Sequence, residues 1–324
     1  GMALYQDYGR APSAARITVE NAGPLLANLL IEAVPPEGTE RLETRLTLYA
    51  DLDRIDVESA FSLVDGRHEI TYDWPFNLPA PASFLLEGPA GTLMVPGRDE
   101  FDEARLDYWN TYSFVDVSSL DYGITLASPD ARQVYMGPVA LPDGRLHSNL
   151  SDPRLLVRAI GGGPEDKDHF DDNGGPLDNP YCYRFSLMPH RGPVDPVHAL
   201  QRGWEALYPL LTEPVRLAAS TPDLPAEASF WRVPAPLVVS AFKRAEDGQE
   251  HEYMLRLWKP AASGLVEAEI TSDLFRVARA RVNDHGERDI GPELPIRARG
   301  FRITVPDSSY VTVRLSLQGP AVGG

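Results

Sequence analysis

Thirty prolines and twenty-six glycines are scattered along these 324 residues, and they limit what the chain can fold into. Proline removes a helical hydrogen bond and clashes with the preceding turn. Glycine in an element interior gives up conformational entropy for no side-chain packing. Long helices are therefore excluded wherever this punctuation is dense. Between the breaks lie runs of β-branched and apolar residues, so the expectation is an all-β chain of many short strands joined by turns. The chain is long enough to bury a full core as one large β domain or as two smaller ones.

Residues 1–15 are polar with Ala and Pro, and they read as a loose arm. The leading Gly-Met resembles a tag remnant before a start codon. Strands are expected from Arg16 onward, with Leu42, Thr44, Leu46 and Leu48 sharing one face of the segment Arg41–Ala50. Pro35-Pro36-Glu37-Gly38 and Asp65-Gly66 read as turns, and Thr111–Val117 as a further strand. A β domain over 16–225, a smaller β region over 226–318 and a tail over 319–324 complete the expected organisation. In the second region, Pro236 to Trp258 reads as a hairpin. Leu237–Phe242 is one strand, Lys243 to Gln249 the turn, and Tyr253, Leu255 and Leu257 lie on one face of the returning strand.

One helix is expected, over about 196–211. Asp195 is a preferred N-cap, and Pro196 fits the first helical position, where its missing N–H has no intrahelical partner. Val197, Leu200, Trp204, Leu207 and Leu211 fall three and four apart on one face, which reads as core packing, and Pro214 is the expected terminator.

The balance of 30 basic and 47 acidic residues gives a formal charge of −17. Such a surface repels phosphate backbones and anionic membranes, so neither a nucleic-acid nor a membrane partner is expected. No apolar run approaches the ~20 residues of a membrane span, and no basic-then-apolar leader opens the chain. With the single Cys182, these features give a cytoplasmic expectation, and the lone cysteine excludes both an intrachain disulfide and a cysteine-only metal site.

Chemistry-bearing motifs are few. Gly161 to Pro180 is acidic and Gly-rich, and its His169-Phe170-Asp171 pair lies on no apolar strand that could hold a zinc ligand set rigid. A solvated loop is the preferred reading, with a hard cation collected by Asp166, Asp168, Asp171 and Asp172 as the alternative. No Gly-x-Ser-x-Gly elbow and no phosphate-binding glycine loop occurs. Tyr108, Trp109, Tyr112 and Phe114 cluster with Asp107, Asn110 and Asp116. That mixture suits either core packing or stacking on a sugar ring with hydrogen bonds to its hydroxyls.

The order of six segments carries a family resemblance. SAFKRAEDG followed by RLW, within Pro236–Trp258, resembles the Lys-x-x-Glu-Asp and Arg-Leu-aromatic strands of glycoside hydrolase family 38 α-mannosidases. Leu46–Val57, Trp74-Pro75-Phe76-Asn77-Leu78, and Phe114–Ser118 with Tyr122–Leu126 are similar to that family's segments in the same order. So are Leu155-Leu156-Val157-Arg158 and Phe185–Gly192. The resemblance spans roughly residues 16–318 and concerns the C-terminal β-domain region of those enzymes. It departs at Asn179–Tyr183, where the family carries Gly-x-His-x-Phe. The family's catalytic barrel, with its zinc ligands and aspartate nucleophile, is not found in these residues.

The resemblance implies a large supersandwich of the galactose mutarotase-like kind, followed by a smaller β-sandwich region. It implies a non-catalytic carbohydrate-associated module that supports or binds glycan, possible mannose-containing ligands, and a catalytic barrel domain or subunit as partner. The alternative is a free-standing carbohydrate-active enzyme, either a mannoside-hydrolase fragment or aldose-epimerase-like, working on the concave sheet face with His190 as the first histidine to try. The carbohydrate-contacting residues put forward are Trp109, Asp116, Arg158 and His190. No catalytic residue, metal ligand or cofactor is expected in this chain, zinc belonging only to the barrel.

Overall fold

The structure, a computed structural model, describes residues 2–4, 11–36, 39–64, 70–88, 92–100, 107–140, 146–160, 180–214, 227–247, 250–260, 264–306 and 309–320. The acidic loop 161–179, the Asp65-Gly66 turn and most of the Pro-rich connector lie outside them. The chain divides into two compact units, Gly1–Leu210 and Leu211–Gly324.

The first unit runs through β1 (Met2–Leu4), β2 (Ala15–Ala22), β3 (Leu26–Ala33), β4 (Thr39–Tyr49), β5 (Leu52–Leu63) and β6 (Ile70–Pro75). It continues with β7 (Ser83–Gly88), β8 (Thr92–Met94), β9 (Trp109–Asn110), β10 (Phe114–Ser118) and β11 (Tyr122–Ala127). Then come β12 (Gln133–Met136), β13 (Val139–Ala140), β14 (Leu146–His147), β15 (Arg154–Ile160), β16 (Tyr181–Arg191) and the helix α1 (Pro196–Leu207). A nine-stranded sheet has the order β2-β3-β4-β5-β16-β11-β10-β7-β8, and a five-stranded sheet the order β1-β6-β15-β12-β9.

The two sheets share one core, which makes the unit a large sandwich. Alternation along each strand sends every second side chain inward. Phe61, Val115, Val117, Leu126, Tyr183 and Phe185 come from the larger sheet, and Ile70, Tyr72, Val134, Leu155 and Val157 from the smaller. Aromatic rings join the layers: Tyr72 and Phe185 have centroids 4.7 Å apart, and Trp74 meets Phe185 edge-on at 5.3 Å. The Tyr183 hydroxyl crosses the core and donates to the Ala159 carbonyl oxygen at 2.7 Å.

The second unit contains β17 (Val238–Arg244), β18 (Glu252–Trp258), β19 (Val266–Thr271), β20 (Phe275–Asn283), β21 (Asp289–Glu293), β22 (Ile296–Arg297), β23 (Gly300–Val305) and β24 (Tyr310–Pro320). Its sheets, β17-β18-β24-β20-β21 and β19-β23-β22, enclose a separate core in which Leu255, Leu257, Val313 and Leu315 face Ile270, Phe301 and Ile303. The expected hairpin is β17–β18, and Leu255 and Leu257 are inward as the alternation requires.

Four expectations are corrected. Residues 2–4 are not loose, because they pair with β6, and Ala15 already belongs to β2. The last strand continues past 318 to Pro320. The strand expected over Thr111–Val117 starts only at Phe114, as β10 (Phe114–Ser118), and residues 111–113 link it to β9, which belongs to the other sheet. The helix stops at Leu207, not near 211, because Pro209 removes a donor and drives Tyr208 out of the helical region, to φ −119° and ψ 77°. Leu211, counted on the packing face, is 96% exposed.

Candidate functional site

The outer face of the nine-stranded sheet, turned away from the shared core, carries the most chemically specific cluster. Val115 and Val117 point inward, so Asp116 and Ser118 on the same strand point outward. Asp116 lies opposite Thr125, and Gly123 lies between Ser118 on one side and His190 on the other. The imidazole of His190 reaches across Gly123, and its Nε2 is 2.8 Å from Asp116 Oδ2.

Asp116 is completely buried, yet it is well satisfied. Thr125 Oγ1 donates to Oδ2 at 2.7 Å and Ser118 Oγ donates to Oδ1 at 2.8 Å. A buried carboxylate survives only with such partners. The hydrogen bond that the imidazole donates to Asp116 raises the His190 pKa above its ordinary value, burial opposes this, and hydrogen bonding to the backbone of Arg191 and Gly192 adds to the rise. The hydroxyls donate to the carboxylate and not to the imidazole. The cluster therefore favours the protonated form of His190, and neither hydroxyl is set to pass its proton to the imidazole.

His190 opens onto a groove of about 710 Å³ between the β4–β5 hairpin and α1. Leu48, Tyr49, Leu52 and Arg54 form one wall, Met188 and His190 the floor, and His198 and Arg202 the other wall. Arg54 pairs with Asp56 at 3.1 Å and lies over the Tyr49 ring, 5.5 Å from its centroid. Asp195 caps α1, its Oδ1 accepting from the backbone N–H of Val197 at 2.9 Å and of His198 at 3.1 Å, and this fixes the first turn of the helix beside the groove. Near its other end Trp204 Nε1 donates to the buried Glu87 at 3.2 Å, and Ser113 Oγ donates to the same carboxylate. Burial drives the Glu87 pKa upward, against the pull of those two hydrogen bonds.

Of the four residues nominated from sequence, Asp116 and His190 come together and the other two do not. Trp109 is buried in the sandwich core with its indole N–H on Glu100 Oε1 at 3.1 Å, so it has no ring face to offer a sugar. Arg158 belongs to the five-stranded sheet, where it donates to Gln133 Oε1 at 2.8 Å. Leu155 and Val157 of that strand enter the core, so Arg158 is on the opposite side of the sandwich from His190. Asp116 itself is too deeply buried to touch a ligand and acts through His190. The remaining aromatics also scatter: Phe114 is fully buried, Tyr108 packs edge-on against Tyr135, and the Tyr112 hydroxyl meets that of Tyr208 at 2.6 Å.

Sequence reasoning misses Gly123 and Thr125 as parts of the site. The available signal is a glycine within the strand Tyr122-Gly123-Ile124-Thr125-Leu126, since an interior strand glycine marks a close approach by another group. Among the described residues no group of three or more His, Cys, Asp or Glu is placed to hold a metal ion. His169 and Asp171 lie outside the described residues. Among the described residues, too, no helix is long and apolar enough to cross a membrane.

The fold and the groove define an all-β protein of two successive sandwiches with a buried-carboxylate histidine site on the larger. No family model and no curated protein matches the chain. Solved structures do. A glycosyl hydrolase family 38 protein from Enterococcus faecalis matches with TM-score 0.65 and 14% identity, over 93% of this chain and 36% of that one. An α-mannosidase from Enterococcus faecalis V583 matches with TM-score 0.62 and 15% identity, over 93% of this chain and 35% of that one. The fold is thus shared with a portion of family 38 glycosyl hydrolases, and the chain spans about a third of their length. An aldose epimerase homologue from C. elegans aligns at a TM-score of only 0.30.

Proposed function

We propose that this chain is a non-catalytic, carbohydrate-associated β-sandwich module related to the C-terminal part of α-mannosidases, and that its groove beside His190 contacts glycan. The observation that carries the reading is the extent of the likeness. It takes in 93% of this chain but only about a third of each hydrolase, so what is shared is a piece of an enzyme. A catalytic barrel domain or subunit is the natural partner, and the zinc belongs there. The exposed Cys182 thiol suits a reducing compartment, and the cytoplasm is the proposed location.

The groove supports the glycan contact. Tyr49, Leu48 and Leu52 offer apolar surface to the C–H face of a sugar, while Arg54 offers directional donors.

Calorimetry of the chain with mannose and methyl α-mannoside tests this. Binding in the range of about 1–10 mM, weakened in Tyr49→Ala, is expected. No heat at millimolar sugar would leave the groove with a structural role only. The His190–Asp116 hydrogen bond favours one second reading, an aldose-epimerase-like acid/base site. Turnover of free aldoses or mannosides that disappears in His190→Ala would replace the non-catalytic reading with that one.

A further inference from the structure

The groove's charge runs against that of the chain. The protein carries −17 formal charges, yet among the described residues the groove is lined by Arg54, Arg191, Arg202, His190 and His198 against a single acid, Asp53. We propose that the groove takes a sugar bearing an anionic group, phosphate or carboxylate. This rests on the groove being the glycan contact and names the class of glycan.

The basic side chains are not equally free. Arg54 is matched by Asp56, and His190 by Asp116 beneath it. Arg191 makes no ion pair with another described residue. Arg202 is held by two longer contacts: its Nε donates to His198 Nε2 at 3.3 Å, and its Nη1 lies 3.3 Å from Glu205, a side chain 55% exposed to solvent. An exposed ion pair of that kind is weak and readily exchanged for a ligand oxygen. Arg191 from the end of β16 and Arg202 from α1 therefore supply two guanidinium forks on the groove, a geometry that matches phosphate or carboxylate oxygens. A neutral hexose makes no such demand. A polyanion is excluded by the acidic remainder of the surface, so the anion is small. The apolar wall of Leu48, Leu52 and Tyr49 then calls for a sugar body attached to it, in a volume of about 710 Å³.

The test is calorimetry of the whole chain with four probes, mannose, mannose 6-phosphate, mannuronate and inorganic phosphate, each at low and at raised salt. One or both charged sugars should bind at least tenfold more tightly than mannose, and the one that does names the group. The advantage should shrink with salt, and inorganic phosphate alone should bind more weakly than the sugar phosphate. Arg191→Gln with Arg202→Gln should bring charged sugars down to the affinity that the variant shows for mannose, and an unchanged urea-unfolding midpoint reports an intact fold. Equal affinity for mannose and both charged sugars would overturn this inference and leave the glycan reading standing. Inorganic phosphate as tight as the sugar phosphate would overturn it as well. No binding of any sugar would overturn both.

Discussion

His190 passes so close over Gly123 that position 123 has no room for a side chain. A Cβ there would stand 2.6 Å from His190 Cε1, 2.7 Å from Nε2 and 2.3 Å from the Cβ of Ser118. The glycine is the gap through which the imidazole reaches its carboxylate.

Gly123→Ala should therefore cost roughly 1–3 kcal/mol, the usual range for overpacking a well-filled site. Chemical denaturation measures the loss. The same variant should lift the imidazole off Asp116, seen as a fall of the His190 pKa toward its unperturbed value in an NMR titration. A stable variant with an unchanged titration would show that the ring does not depend on this gap.

The raised His190 pKa sets a direction for stability against pH. In the unfolded chain the ring titrates near 6.5. The folded chain holds the proton more tightly, so this contribution is fully present below that value and is lost as pH rises through the folded-state pKa. The stability difference between wild type and His190→Gln, measured by urea unfolding at a series of pH values, should be largest on the acid side and shrink as the pH rises through the folded-state pKa. Asp116→Asn should abolish that trend.

Glu87 gives a second pH-dependent prediction. Burial raises its pKa, so its ionised form at neutral pH carries a desolvation cost. Glu87→Gln removes the charge and keeps one carbonyl oxygen, which in the Oε2 position can accept from both Ser113 and Trp204. It should stabilise the protein at pH 7 by roughly 1–3 kcal/mol, the scale of burying a polar group. The gain should fade as the pH drops through the range where Glu87 itself becomes protonated. Thermal unfolding at pH 4 and pH 7 separates the two regimes.

Tyr183→Phe removes the hydroxyl that bonds the larger sheet to the Ala159 carbonyl. The buried acceptor is left unpaired, so a loss of about 1–3 kcal/mol is expected. Phe185→Ala, at the ring contact between the sheets, should cost more, about 3–5 kcal/mol. Urea unfolding of both variants at one pH ranks the two losses.

Where structure is local, it can be read from the residues. The start of α1 follows from Asp195-Pro196 alone, and the inward set of β18 follows from period-two alternation. The end of α1 is harder, because the apolar spacing carries on to Leu211, and spacing says nothing about the missing N–H of Pro209. The His190 site is only half legible for a related reason. Histidine 190 stands out, yet no carboxylate can be assigned to it along the chain, because its partner is 74 residues away. That pairing exists only through the strand order β10-β11-β16 and the register that sets Gly123 opposite His190. Trp109 and Arg158 show the converse. Their residue types invite a binding role, but the face on which each stands is decided by sheet assignment, which composition does not encode.

Strand β16 serves two masters. Its odd-numbered residues Tyr183 and Phe185 lock the layers together, while its even-numbered Ser186, Met188 and His190 look out toward the groove side. One inserted or deleted residue would exchange the two sets, exposing the aromatic seam and drowning the histidine in hydrocarbon at the same moment. Recognition and cohesion are thus written on opposite sides of a single ribbon, and the chain could drift in one only by substitution, never by a shift of frame along the strand.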